Sequence, residues 1–324
     1  MPISRPLKPL LLLLLASIAA AVLSISIGSS ATGLDEVLRV LTGSGSDLQQ
    51  TLILELRLPR TLSAFATGGL LAVAGALMQV LLRNPLADPY VLGLSGGAAV
   101  GALLAMLAGV AGFLVSGSAF AGAMLATLLV FGLAHGSGSW TPSRLLLTGV
   151  VVAAGWGAVI TLILSMTPAR RLPGMLYWLM GDLSHAGSPW PGLIILALVC
   201  LLVFPLGRIL NVLARGSLQA AALGVSVRPL EWLIYLMASL LTATAVTMAG
   251  AVGFVGLVVP HMLRLVLGND QRLILPACAL AGGTLLVLAD TLARVVIAPE
   301  QLPVGVITAL IGVPVFLYLL YRSR

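Results

Sequence analysis

The sequence predicts an all-α integral membrane protein of about ten transmembrane helices. Three observations carry that expectation. The chain has 324 residues, 60% of them hydrophobic and only 8% charged, with a mean hydropathy of +1.13; a soluble domain carries roughly 25% charged residues. Its apolar residues fall in long unbroken runs, whereas an outer-membrane barrel would show short alternating segments. Its 36 Gly and 18 Pro are tolerated in membrane bundles, where neighbouring helices re-satisfy broken backbone.

A span needs about 20 mostly apolar residues. Ten stretches qualify, near 10–28, 61–82, 91–113, 119–134, 145–167, 191–207, 232–250, 251–268, 273–293 and 303–321. The seventh and eighth share one Gly-rich run, divided at Gly250–Gly253. The first has Arg5 and Lys8 ahead of an apolar core longer than the 7–15 residues of a signal peptide, so it reads as a retained span. No segment is polar enough to form a soluble domain, and residues 1–324 read as one transmembrane domain.

An even number of spans places both termini on one side. With that side cytoplasmic, 11 of the 17 cationic residues lie inside, leaving Arg39, Arg57, Arg60, Arg170, Arg171 and Arg294 outside. This matches the positive-inside bias, which also accounts for the net charge of +7 without invoking nucleic acid. Two connections exceed a turn. The outer one holds a short amphipathic helix at 174–180; the inner one, 208–230, has glycines bracketing a short small-residue helix that cannot span. Such a helix has a reason to exist only if it docks on a partner.

Lys8 is the sole lysine, so the chain cannot build a P-loop with its phosphate-reaching Lys. His135, His185 and His261 lie far apart, and Cys200 and Cys278 sit singly in apolar stretches. No metal, disulfide or nucleophile pattern arises from these spacings. All ten acidic residues fall in loops or near span ends, whereas ion-coupled carriers place ionisable groups within the membrane. Uphill movement of a solute would therefore draw its energy from a partner. An ion-coupled secondary transporter or channel, and a structural subunit of a larger complex, are the alternatives.

Seven stretches taken in order then carry a resemblance: Arg57-Leu58-Pro59-Arg60-Thr61, Gly75-Ala76-Leu77-Met78-Gln79, Arg83-Asn84-Pro85-Leu86-Ala87-Asp88-Pro89, Leu92-Gly93-Leu94-Ser95-Gly96-Gly97-Ala98, Leu145-Leu146-Leu147-Thr148-Gly149-Val150, the run from Gly250 to His261, and Leu302-Pro303-Val304-Gly305-Val306-Ile307-Thr308. From about Arg57 onward the chain resembles the FecCD-type permeases of ABC importers for iron-siderophores, haem and cobalamin. The resemblance implies a homodimer in the bacterial inner membrane. It would work with two cytoplasmic ATPase subunits, which hold ATP and Mg, and with a periplasmic substrate-binding protein. No cofactor would bind this chain directly.

The resemblance also implies roles for residues. Arg57, Arg60 and Arg294 match outer arginines that dock the binding protein's carboxylates; guanidinium forks suit that task. Interface anchoring, or pairing with Glu55 or Asp290, is the other reading of them. Segment 211–224 matches coupling helices that sit on the ATPase. Leu213, Ala214, Gly216, Ala220, Leu223 and Gly224 keep the family's pattern, and Arg215, Ser217 and Leu218 depart from it. The turn Trp140–Arg144 matches the cytoplasmic gate, with Thr141 and Ser143 at its centre. The fifth and tenth spans and the helix at 174–180, with Met175 and Met180, would line the pathway. Methionine's soft, adaptable side chain suits a bulky chelate; iron ligation by Met175, Met180 or His185 is the less favoured expectation.

Overall fold

The computed structural model describes residues 4–28, 33–135, 141–184 and 187–322. Trp140 and His185, both raised by the sequence, lie outside the described residues.

Among the described residues fifteen α-helices follow one another: α1 Ser4–Ser26, α2 Leu34–Leu41, α3 Asp47–Gln50, α4 Leu58–Leu81, α5 Leu94–Leu107, α6 Phe113–His135, α7 Pro142–Met166, α8 Leu172–Met180, α9 Trp190–Val203, α10 Gly207–Leu213, α11 Ser217–Ala222, α12 Val227–Ala249, α13 Val255–Leu267, α14 Gln271–Val295 and α15 Val304–Arg322. A π-helical stretch, Thr51–Arg57, joins α3 to α4, and a 3-10 turn, Pro89–Leu92, precedes α5. Among the described residues there is no strand.

Among the described residues six helices are long and apolar enough to cross a membrane, and α9 with α10 makes a seventh if that bent pair is one span. The shorter apolar helices α5, α13 and α15 account for the remaining three expected spans. The third span is shorter than 91–113. Asp88 caps the 3-10 turn by accepting from Tyr90 N at 2.7 Å, and burial pushes its carboxyl up to about 6. Gly93 then turns at φ 73 before α5 begins. The second span is longer than 61–82, because helix runs without a break from Asp47. A capping box starts it: Ser46 accepts from Gln49 N while Gln49 reaches back to Ser46 N. The seventh and eighth spans part where Gly250 (φ 66) and Phe254 (φ 69) adopt left-handed backbone.

α4 is the central post. Nearly every residue from Ala64 to Leu81 is buried, and α14, α12 and α13 pack around it. α1 inverts the pattern of a soluble helix. Leu11, Leu12, Leu15 and Ile18 point outward, while its small polar residues face the protein. Ser17 Oγ meets Thr284 Oγ1 at 2.8 Å and Ser24 Oγ meets Thr61 Oγ1 at 3.0 Å. In hydrocarbon, apolar side chains gain nothing from hiding, so small residues and hydrogen bonds hold the helices together.

In the single subunit α7 and α15 keep exposed apolar faces. Leu147, Val150 and Val151 lie on the first, and Leu310, Val313 and Leu317 on the second.

Candidate functional site

Polar chemistry concentrates at the two ends of the bundle. At the distal end, where α1 finishes, the structure brings Arg57, Arg60 and Arg294 together. Arg57 and Arg60 stand three residues apart where the π stretch enters α4, so they share a helix face. Asp290 and Arg294 stand four apart on α14. Asp290 is one turn inside the end of α14, near the span end as expected, and fully buried in the protein.

Its two oxygens take both neighbours. Arg60 donates to Asp290 through Nε at 3.0 and 3.1 Å and through Nη2 at 2.8 Å, a forked pairing. Arg294 Nε donates to Asp290 Oδ2 at 3.1 Å, and its Nη2 reaches Ser24 Oγ at 2.8 Å. Arg57 Nη1 donates to the Ile25 carbonyl at 2.8 Å. These bonds tie the end of α1 to α4 and α14.

Exposure separates the three arginines. Arg57 is 6% and Arg294 7% exposed, while the Arg60 side chain keeps 14% and extends Nη1 to Gln301 Oε1 at 2.7 Å. All three line a cavity of about 340 Å3, along with Glu55, Ser184 and Gln301. Three guanidiniums thus stand against one buried carboxylate, with Glu36 acting on Arg57 and exposed Glu55 at the rim.

At the proximal end the chain bends by 72° between α9 and α10. α10 leads through Ala214-Arg215-Gly216 into α11, and Gly224 (φ 81) closes it. Gly216 at φ 139 makes a turn that a side chain would strain. The six expected coupling residues divide by role. Leu213 and Ala220 point inward and are buried, Ala214, Leu223 and Gly224 are exposed, and Gly216 forms the half-buried turn. Leu218 is 86% and Leu223 72% exposed, which gives the short helix an apolar outer face.

Asn211 was not singled out by the sequence, yet it fixes this segment. Its Nδ2 donates to Asp270 Oδ1 at 2.9 Å, and its Oδ1 accepts from Gln271 N at 2.8 Å. Asp270 caps α14, and the Arg272 guanidinium holds its carboxyl well below the usual carboxylate range. The Asn-Asp sequence of residues 269–270 ahead of an apolar run is a helix-start signal; only the fold brings Asn211 to it.

Thr141 caps α7 by accepting from Arg144 N at 3.3 Å, and Ser143 is exposed in the helix's first turn. The two candidate pathway methionines part company. Met180 is 39% exposed at the end of α8. Met175 is 1% exposed, packed with Val100, Leu103 and Ile163, with its sulfur 3.6 Å from Thr167 Oγ1. In this arrangement Met175 is a packing residue within the subunit. Among the described residues no three His, Cys, Asp or Glu side chains gather into a metal-binding group.

The model of the FecCD transport family matches residues 13–322. The cobalamin import system permease protein BtuC of Halobacterium salinarum is 44% identical, over 85% of this chain and 74% of its own. The hemin transport system permease protein HmuU of Yersinia pestis is 39% identical, over 87% of this chain and 86% of its own. A solved structure assigned to the metal-chelate type of ABC transporter, in an inward-facing conformation, superposes with a TM-score of 0.84 at 30% identity. It covers 98% of this chain and 100% of that one.

Proposed function

The chain belongs to the FecCD transport family, and from that premise we propose that it forms one half of a homodimeric importer in the bacterial inner membrane. The importer carries a metal chelate (iron-siderophore, haem or cobalamin) from periplasm to cytoplasm, powered by ATP hydrolysis on two separate cytoplasmic ATPase subunits. As a permease of the metal-chelate type the chain is a transport subunit rather than an enzyme. The two termini and the proximal end face the cytoplasm, and the distal arginines face a periplasmic binding protein.

The observation that carries the reading is the bent segment α10–α11. It is clamped to α14 through Asn211 and Asp270, and it presents Leu218 and Leu223 outward on a helix too short to span. Rigid attachment on one side and an apolar face on the other suit a lever moved by a partner. The unpartnered faces of α7 and α15 supply the homodimer interface and pathway wall, with Met180 at the rim and Thr141 and Ser143 at the cytoplasmic gate.

On this reading Arg60 is the guanidinium that meets the binding protein, while Arg57 and Arg294 set the positive field behind it. Steering from such a field raises encounter rates and falls with salt. Arg60→Gln, which leaves Arg294 paired with Asp290, is expected to reduce binding-protein stimulation of ATP hydrolysis about tenfold while the assembled complex keeps its basal hydrolysis. Stimulated hydrolysis in proteoliposomes checks this, and unaltered stimulation would remove Arg60 from the docking surface.

A further inference from the structure

The proximal end holds an unassigned polar cavity of about 590 Å3. Its walls are the end of α4, the coupling segment, and the facing ends of α13 and α14; Arg83, Arg215 and Arg264 line it with Asn211, Asp270 and Gln271. Its charge is lopsided. Asp270 is the lone carboxylate among the lining residues, and Arg272 and Asn211 already occupy both its oxygens. Arg264 donates to Gln79 Oε1 and to the Ala76 carbonyl, both neutral. Arg83 Nη1 donates to Ser217 Oγ at 3.3 Å, and Glu231 is close enough to act on it electrostatically. No Asp or Glu occurs anywhere between Asp182 and Glu231, so the coupling segment carries arginines only.

Arg264 is half-buried with neutral partners only; a guanidinium held so is costly, and a partner that brings a carboxylate relieves the cost, while exposed Arg83 and Arg215 stand at the mouth where that carboxylate would enter. Gln271 adds a second sign of a missing group. It is buried, and its side-chain oxygen has no hydrogen-bond partner; turned over, the same amide offers N–H to an anion. The cavity shares residues Asn211, Ala214 and Arg215 with the coupling segment, and so runs on from the exposed Leu218 and Leu223 face.

We propose that this cavity receives an acidic side chain, Asp or Glu, from the cytoplasmic ATPase subunit. The carboxylate enters beside α11 and is held by Arg215 and Arg83, with Arg264 behind them. The inference rests on the ATPase-docking reading above and adds the chemistry of the contact: the apolar α11 face gives area, and the cationic cavity gives register and salt dependence.

The test measures binding of the ATPase subunit to the full-length permease in nanodiscs across a series of NaCl concentrations. Arg215 is exposed, so Arg215→Gln leaves the fold intact. It is expected to weaken binding roughly tenfold and flatten the salt dependence, and Arg215→Lys is expected to restore most of both. Arg208→Gln, exposed on the same segment outside the cavity, is expected to change binding less than about twofold. Equal effects at Arg208 and Arg215, or none at Arg215, would overturn the proposal. So would an Arg215 effect confined to nanodiscs containing anionic phospholipid, which would assign the cavity to a lipid headgroup. Leu223→Asp separates the two levels. If it abolishes binding while Arg215→Gln does not, the cavity assignment alone fails; if neither matters, the docking reading fails with it.

Discussion

Asp290→Ala is expected to destabilise the subunit by about 3–5 kcal/mol, the range for breaking a buried ion pair on one side. Asp290 is the fully buried partner of two guanidiniums. The two would respond differently. Arg60 retains some exposure and a second partner in Gln301, so it can swing outward. Arg294 is 7% exposed between α1 and α14, and its charge would remain buried beside Ser24 and Thr291. The damage therefore falls on the seam that holds α1. Thermal unfolding of the detergent-solubilised protein measures it. Removing the charge as well, in Asp290→Ala with Arg294→Met, is expected to recover a substantial part of the loss, since replacing both partners costs less than orphaning one. Strict additivity of the two substitutions would show that burial of an unpaired charge is not the cause.

Gly68→Leu is expected to abolish the folded subunit. α4 crosses α14 where Gly68 meets Gly282: a Cβ on Gly68 would lie 2.1 Å from the Gly282 carbonyl oxygen, and one on Gly282 would lie 2.4 Å from that of Gly68. The obstacle on each side is backbone, which cannot rotate away. Gly68→Ala would gain about 1 kcal/mol of helix propensity, yet overpacking typically costs about 1–3 kcal/mol, and a backbone obstacle on both sides puts this site at the upper end. Crowding wins, and even alanine is expected to destabilise. Gly155→Ala on α7, where an added Cβ has nothing within 4 Å, is the matched control and is expected to stabilise by up to about 1 kcal/mol. Yield of monodisperse protein on size exclusion, with thermal unfolding, distinguishes these outcomes.

The spans were legible because each is a long apolar run, and hydrocarbon demands about the same length of every one. Their edges were less so. Polar Asp47, Gln49, Gln50 and Glu55 dilute the hydropathy ahead of Thr61, although the helix runs unbroken from Asp47 through them. Pro89 and left-handed Gly93 shorten α5 at its start, a backbone effect that hydropathy averages away. The glycines at 216 and 224 did announce the short α11, since positive φ at both ends is a local property.

Long-range pairing was not legible in the same way. Arg57, Arg60 and Arg294 could be placed at one end, and Asp290 was a possible partner, but its capture of two arginines depends on α4 and α14 crossing. Met175 looked equivalent to Met180 along the chain; its burial follows from α8 lying over α5 and α7. The charge imbalance of the proximal cavity likewise needed four separate stretches of chain brought together.

Transport itself tests the central claim most directly. The subunit, its ATPase partner and its binding protein, reconstituted in proteoliposomes, are to be assayed for uptake of ferric siderophore, haem and cobalamin in turn. Uptake of one of these chelates is expected to require ATP and the binding protein and to survive dissipation of the proton gradient. Uptake that persists without ATP and collapses with the gradient would contradict the account and make the chain an ion-coupled carrier.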